Sequence, residues 1–113
     1  DLSLKYNIPC TIAGIRGFDG QVISVDPHKS ACYRCCFGNL KDESERKDKS
    51  KKPSVPIPVL SPTCGVVGSI EAAEVLKGLL DVGKRILNGI LMVDLRNSDF
   101  TKVPIKKNPR CDC

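Results

Sequence analysis

The chain has 113 residues, of which 41% are hydrophobic and 4% aromatic, and it contains no Trp. This length fits one domain, whose modest core must be built from Leu, Ile and Val. The net charge of +5 is not arranged as a basic stripe with interleaved aromatic residues, and no apolar run reaches transmembrane length. We therefore expect neither nucleic acid nor a membrane as a partner.

The first third of the chain predicts the end of a helix followed by a strand–turn–strand unit. Residues 1–7 have the character of the last turns of a helix, which indicates a piece of a longer protein. Residues 10–15 and 21–25 are apolar and β-prone, and Gly and Asp residues between them favour a turn. Cys10 is most simply a core residue, and His28, the single histidine, is expected to be solvated.

Two cysteine pairs, far apart in sequence, have a spacing that is typical of metal sites. Cys32 and Cys35 form a Cys-x-x-Cys turn, and Cys111 and Cys113 form a tighter Cys-x-Cys pair. Two such pairs supply the four thiolates of a tetrahedral zinc site, with Zn–S bonds of about 2.3 Å. The metal would close a long loop and so stabilise a small domain.

The alternative to a structural zinc is a set of reduced or disulfide-bonded thiols without metal. An odd total of seven cysteines and the lack of a secretory signal disfavour a disulfide framework and indicate the cytoplasm. Cys36 directly follows the Cys-x-x-Cys turn, whose geometry directs it away from the metal, so we expect an ordinary buried thiol.

Residues 39–60 differ from the rest of the chain in composition. Ten of the fifteen positions 39–53 are charged, with both signs mixed, which predicts a mobile, solvated loop. Residues 53–60 alternate Pro with aliphatic residues and are expected to be extended.

A helix is predicted after this segment, with Ser61 as N-cap and Pro62 at the first helical position. Its apolar face follows the 3.6-residue period through Val66, Val67, Ile70, Ala73, Leu76, Leu79 and Leu80. Its wet face is expected to carry Glu71, Glu74, Lys77 and Asp81, with Glu74 paired to Lys77. Cys64 lies in the first turn, at the positive end of the helix dipole, which raises the alternative of a reactive cysteine, although no base lies near it in sequence.

The last part of the chain predicts a hairpin, with strands over 89–95 and 100–105 and a turn over 97–99. The complete pattern is α/β. We expect a mixed, largely antiparallel sheet of four or five strands, one long helix, a mobile loop and a four-cysteine zinc knuckle.

Several segments, in this order, also resemble one family. They are Asn7-Ile8-Pro9, Gly17-Phe18-Asp19-Gly20-Gln21-Val22, Cys32-Tyr33-Arg34-Cys35, the helix pattern Pro62-x-x-Gly65-x-x-Gly68-Ser69-Ile70-x-Ala72-x-Glu74, and Asn108-Pro109-x-Cys111. The chain resembles the C-terminal half of the ThiF/MoeB/HesA family, the ubiquitin-activating-enzyme-like adenylyltransferases of thiamine and molybdopterin biosynthesis.

The resemblance implies an intact protein that uses ATP and Mg²⁺ to adenylate the C-terminal glycine of a ubiquitin-like sulfur-carrier protein. It also implies a homodimer and a structural zinc held by two cysteine pairs. Cys32, Cys35 and Cys111 match family ligands directly, and the fourth falls one place beyond Cys113. Either Cys113 substitutes for it, or the ligand lies beyond the chain end.

This chain departs from the family pattern in two ways. Residues 1–113 match only the C-terminal part of the domain, so no catalytic or cofactor-binding residue is expected here and this piece alone should be inactive. Residues 39–60 correspond to the crossover loop that passes over the carrier tail, but Ser54 stands where the family has a cysteine, and Cys64 does not match it. The alternative is a stand-alone zinc-binding interaction module, and a weaker one is a redox protein using Cys35, Cys36 or Cys64.

Overall fold

The computed structural model describes residues 2–38, 58–111 and 113. Among these residues are three helices and four strands: α1 (Leu2–Tyr6), β1 (Cys10–Arg16), β2 (Asp19–Val25), α2 (Tyr33–Phe37), α3 (Ser61–Leu80), β3 (Gly89–Asp94) and β4 (Asp99–Pro104). The predictions for residues 39–57, including the mobile loop and Ser54, lie outside the described part. Within it, no helix is both long and apolar enough to cross a membrane.

The four strands form one antiparallel sheet in chain order, β1-β2-β3-β4. Two short turns join the hairpins: Arg16 pairs with Asp19, and Asp94 pairs with Asp99. Gly17, in the first turn, has φ 59°, a conformation that glycine adopts without steric cost. Where we expected a mixed, largely antiparallel sheet of four or five strands, the described residues form a four-stranded sheet whose strand pairs are all antiparallel, and the strand ends lie within two residues of the prediction.

Helix α3 packs against β1 and β2 on one side of the sheet, which we call the helix face. The buried core there consists of Val22, Val67, Ile86 and Val93. Gly20 permits close packing, because a Cβ at this position would lie 2.3 Å from Cγ2 of Val67. The helix is therefore seated on β2 through a contact that only glycine allows.

The predicted start of helix α3 is wrong by one residue. Leu60 is the N-cap, with extended backbone, and Ser61 is already the first helical residue. Pro62, expected at the first helical position, is the second helical residue, and its missing N–H needs no partner there either. The Thr63 hydroxyl donates instead to the Gly17 carbonyl at 2.9 Å, which ties the helix start to the first hairpin.

The predicted faces of α3 are also partly wrong. Glu74, expected on the wet face, is 2% exposed, whereas Leu76 and Leu79, expected on the buried face, are 55% and 76% exposed. The buried residues of the helix are Thr63, Val67 and Glu74. At 3.6 residues per turn, Leu76 and Leu79 lie about 160° and about 140° from Glu74 around the helix axis, so they face away from the sheet.

The buried Glu74 carboxylate is satisfied by three groups. Its Oε2 accepts from the Ser24 hydroxyl at 2.9 Å and from the Ile86 N–H at 2.6 Å. The predicted ion pair with Lys77 is present on the other oxygen. A charged group can be buried when it is paired and hydrogen-bonded in this way, so Glu74 joins α3 to β2 and to the segment before β3.

The opposite side of the sheet, the cysteine face, has a second core. Successive side chains of a strand point to opposite faces, so Ile23 and Val25 of β2 lie here. They pack with Cys32 and Cys113, which are both buried. This core contains two of the predicted zinc ligands.

Candidate metal centre

The first two cysteines are presented by residues 26–38, which we call the first limb. After β2 the chain turns: the Asp26 N–H donates to the Ser30 hydroxyl at 2.8 Å, and the Ser30 N–H donates to the Asp26 carbonyl at 3.0 Å. Cys32 then N-caps α2, and the Cys35 N–H donates to the Cys32 carbonyl at 3.0 Å. The helical turn directs both sulfurs to one side.

The other two cysteines come from residues 105–113, the second limb, of which residue 112 lies outside the described part. This limb follows β4 and runs alongside the first. The Lys107 ammonium donates to the His28 carbonyl at 2.8 Å, and the Asn108 N–H donates to Cys35 Sγ at 3.4 Å. The Cys111 N–H closes a turn on the Asn108 carbonyl at 3.0 Å.

The four predicted sulfurs converge. The Sγ atoms of Cys32, Cys35, Cys111 and Cys113 all lie within 4.8 Å of one another. Cys32 Sγ is 3.8 Å from Cys35 Sγ and 3.5 Å from Cys111 Sγ, and Cys35 Sγ is 3.4 Å from Cys113 Sγ. A tetrahedral ion with bonds of about 2.3 Å holds its sulfurs about 3.8 Å apart, whereas a disulfide needs about 2.0 Å. The donor set and spacing fit zinc, and all four are free thiols.

The thiols of this cluster differ in acidity. Burial raises the pKa of Cys35, but hydrogen bonds to the backbone of Asn108 and Cys32 and to neighbouring sulfurs lower it to about 7. Burial, together with hydrogen bonds to the other three sulfurs, raises the pKa of Cys113 to about 12. Without an ion, Cys35 therefore ionises more readily than Cys113. A metal must displace the remaining protons when it binds.

The other candidate residues lie apart from the cluster. The Cys36 thiol donates to the Cys32 carbonyl at 3.3 Å, and burial and the neighbouring thiolates raise its pKa to about 11. It is not one of the four converging sulfurs. His28 and Cys64 are exposed, and Cys10 is half-buried against the core of the cysteine face.

Sequence reasoning missed the contacts that align the two limbs. Asn108 belongs to a recognisable motif, but nothing in the sequence indicates that its N–H donates to a cysteine sulfur. Such N–H donors stabilise a thiolate and so favour the ligand form. The bond of the Lys107 ammonium to the His28 carbonyl depends on the fold, so the sequence gives no sign of it.

Comparison with known proteins decides the family. The profile of the ThiF family matches residues 1–113. The chain belongs to the ThiF family. The resemblance read from the motifs is confirmed.

Several curated relatives have a name that states an activity. A sulfur carrier protein adenylyltransferase of Thermus thermophilus is 31% identical over 98% of this chain and 41% of its own length. The SAMP-activating enzyme E1 of Haloferax volcanii is 32% identical over 98% of this chain and 39% of its own length. A molybdopterin-synthase adenylyltransferase of Escherichia coli is 31% identical over 72% of this chain and 30% of its own length. The chain thus spans less than half the length of these relatives.

Solved structures agree on the fold. E. coli MccB with ATP aligns with a TM-score of 0.70 at 20% identity, covering 97% of this chain and 32% of that chain. The microcin C7 biosynthetic enzyme MccB in complex with N-formylated MccA gives 0.72 at 17% identity, covering 97% and 34%. At these identities the likeness concerns the fold alone.

Proposed function

We propose that Cys32, Cys35, Cys111 and Cys113 hold one structural zinc ion. The support is the convergence of four thiols from two distant limbs at separations that suit a tetrahedral ion. Cys113 is included because its sulfur is buried and lies 3.4 Å from Cys35 Sγ. The ion would supply charge neutralisation and a fixed crosslink between the limbs, with no reaction at the metal.

The zinc assignment is tested by native mass spectrometry of the purified chain. We expect one zinc per chain, and a less stable cysteine face when a chelator removes it. A folded chain that contains no metal would overturn the assignment. It would leave the four cysteines as reduced thiols.

We further propose that the chain is the C-terminal part of an ATP-dependent adenylyltransferase, acting in the cytoplasm on the C-terminal glycine of a ubiquitin-like sulfur-carrier protein. The observation that carries this proposal is membership of the ThiF family, together with relatives named as adenylyltransferases. ATP and Mg²⁺ would bind in a nucleotide-binding half outside residues 1–113. The 113-residue chain alone would therefore be inactive, and the intact protein would be a homodimer.

In this proposal the chain supplies a docking surface for the carrier protein, with residues 39–60 as the crossover segment. The described end of that segment is anchored to the first hairpin. The Gly17 N–H donates to the Pro58 carbonyl at 3.0 Å, and Gly17 forms a parallel bridge with Val59. A segment anchored in this way beside a sheet would offer backbone groups to an extended peptide tail, which suits a flexible carrier C-terminus.

The test uses the longer protein and candidate carriers of the thiamine, molybdopterin and tRNA-thiolation types. We expect ATP–pyrophosphate exchange that requires a carrier with an intact C-terminal glycine, and no exchange with residues 1–113 alone. Deleting residues 41–52 should weaken carrier affinity or turnover. If the deletion changes neither, residues 39–60 do not form the docking segment, and if no carrier supports exchange, the activity is wrong.

The alternative is a stand-alone zinc-binding module that only binds a protein partner. The observation in its favour is that the cysteine cluster assembles entirely within the described residues. The reading frame upstream of residue 1 separates the two. A Gly-x-Gly-x-x-Gly strand–turn–helix pattern there supports the enzyme, whereas a stop codon in its place supports the module.

A further inference from the structure

Asn88 lies between the two limbs of the cysteine cluster, directly before β3. Its backbone has φ 53°, in the left-handed region that Asn tolerates better than most residues. Its side-chain Oδ1 accepts a hydrogen bond from the Ala31 N–H at 2.8 Å. Its backbone carbonyl accepts another from the Ile105 N–H at 2.9 Å.

The two donors have informative positions in the chain. Ala31 immediately precedes Cys32, the first cysteine of the first limb. Ile105 is the first residue of the second limb, which continues to Cys111 and Cys113. One residue therefore bonds both limbs, and it does so through two different groups, a side-chain amide and a main-chain carbonyl.

The strength of this connection follows from burial. Ala31 is fully buried, so its N–H has no access to water and depends on the Asn88 amide as acceptor. A buried donor left without a partner destabilises the segment that carries it. The bond from the Ile105 N–H to the Asn88 carbonyl continues the β3–β4 ladder by one residue beyond the Gly89–Pro104 pair, so it holds the start of the second limb against the residue that precedes β3.

We infer that Asn88 is a positioning residue for the four-cysteine cluster, and this inference depends on the proposed zinc site. It contributes no ligand. It fixes the separation and register of the two limbs before the ion binds, so that less ordering remains to be done on binding and the metal affinity is higher. Outer contacts that orient the ligands of a metal site act in this way.

Three substitutions separate the two roles of Asn88. Asn88→Gly keeps the left-handed backbone and the carbonyl but removes the side-chain acceptor. Asn88→Asp keeps a side-chain oxygen as acceptor, and Asn88→Ala removes the acceptor and also disfavours the backbone conformation. Asn97→Gly is the matched control, because Asn97 donates from its side chain to Asp94 in the turn at the other end of the sheet.

The experiment measures Zn²⁺ affinity of the 113-residue chain by competition with a chromophoric chelator, and amide hydrogen exchange of Ala31 in the metal-free chain. For Asn88→Gly we expect affinity about tenfold weaker and Ala31 exchange about fivefold faster. Asn88→Asp should keep a Zn²⁺ affinity and an Ala31 exchange rate close to those of the unsubstituted chain, and Asn88→Ala should bind Zn²⁺ most weakly. Asn97→Gly should change neither the Zn²⁺ affinity nor the Ala31 exchange rate.

The outcomes distinguish this inference from the zinc proposal. Equal Zn²⁺ affinity in the unsubstituted chain and Asn88→Gly would overturn the positioning role while leaving the zinc site intact. Equal weakening by Asn88→Gly and Asn97→Gly would reduce Asn88 to an ordinary contributor to stability. If the unsubstituted chain does not bind Zn²⁺, both proposals fail.

Discussion

The two faces of the sheet are stabilised by different means. The helix face has a core of aliphatic side chains, closed by a buried carboxylate at Glu74 that three groups satisfy. The cysteine face has a core in which two of the four buried residues are cysteines, Cys32 and Cys113. Apolar burial drives folding without a ligand, whereas four converging thiols repel one another once ionised. The helix face should therefore be stable by itself, and the cysteine face should depend on metal.

The largest expected effect comes from removing one sulfur of the cluster. Cys32→Ser should weaken Zn²⁺ binding by more than about 100-fold, because a hydroxyl is a poor ligand for zinc and the other three thiolates lose their common ion. Chelator competition measures the affinity. Cys64→Ser, at an exposed cysteine outside the cluster, is the matched control and should bind zinc normally. Equal Zn²⁺ affinities in Cys32→Ser and Cys64→Ser would contradict the dependence of the cysteine face on a metal held by the cluster.

The helix face should lose most stability when Glu74 is replaced. Glu74→Ala should lower the free energy of unfolding by about 2 to 4 kcal/mol, because the Ser24 hydroxyl and the Ile86 N–H lose their buried acceptor. Denaturant titration measures the change. Glu71→Ala, one turn earlier on the same helix, should stay within about 0.5 kcal/mol. Zinc affinity should be unaffected by either change, and a large loss of affinity in Glu74→Ala would show that the two faces are coupled.

A smaller effect on stability is expected when Gly20 or Gly65 is replaced by alanine. Gly20→Ala should destabilise by about 1 to 3 kcal/mol, because its Cβ would lie 2.3 Å from Val67 Cγ2. Gly65→Ala should stabilise by about 0.5 to 1 kcal/mol, because its Cβ would meet no described atom within 4 Å and alanine favours the helix. Thermal unfolding compares the two. Destabilisation by Gly65→Ala would mean that a Cβ at residue 65 meets another part of the protein.

The smallest effect is the pH dependence of the helix face. Burial raises the pKa of Glu74, but the hydrogen bond and charge of Lys77, with the Ile86 N–H and the Ser24 hydroxyl, outweigh it and hold the pKa below its ordinary value of 4.5. A carboxyl with a depressed folded pKa stabilises the protein above its unfolded pKa. That stability is lost as the pH falls through the folded value.

Urea unfolding between pH about 6 and about 3 measures this dependence. The unsubstituted chain should lose stability on acidification more steeply than Glu74→Gln, whose side chain does not titrate. Parallel pH profiles would mean that the carboxylate has the same pKa in the folded and unfolded chains, which contradicts the depressed pKa of the buried group.

Local signals were enough to predict most of the fold. The strands follow from β-prone runs bounded by Gly, Asp and Asn, and the start of the last helix follows from Pro62 to within one residue. The four cysteines were identified from spacing alone, because a Cys-x-x-Cys turn has its own geometry and needs a second pair to complete a tetrahedron. That these sulfurs meet is a property of the fold, which the spacing anticipated.

The sequence by itself determined which segments are strands and helices, which residue types carry the metal chemistry, and to which family the chain belongs. Only the tertiary structure decided which side of each element is buried. Apolar residues occupy more than one side of helix α3, and the contact with the sheet decides which side is buried, so Glu74 is buried with Val67 whereas Leu79, about 140° away around the axis, is exposed. In the same way, the hydrogen bonds of Asn88 and Asn108 join residues more than 50 positions apart in sequence. A local sequence pattern does not predict contacts between residues so far apart.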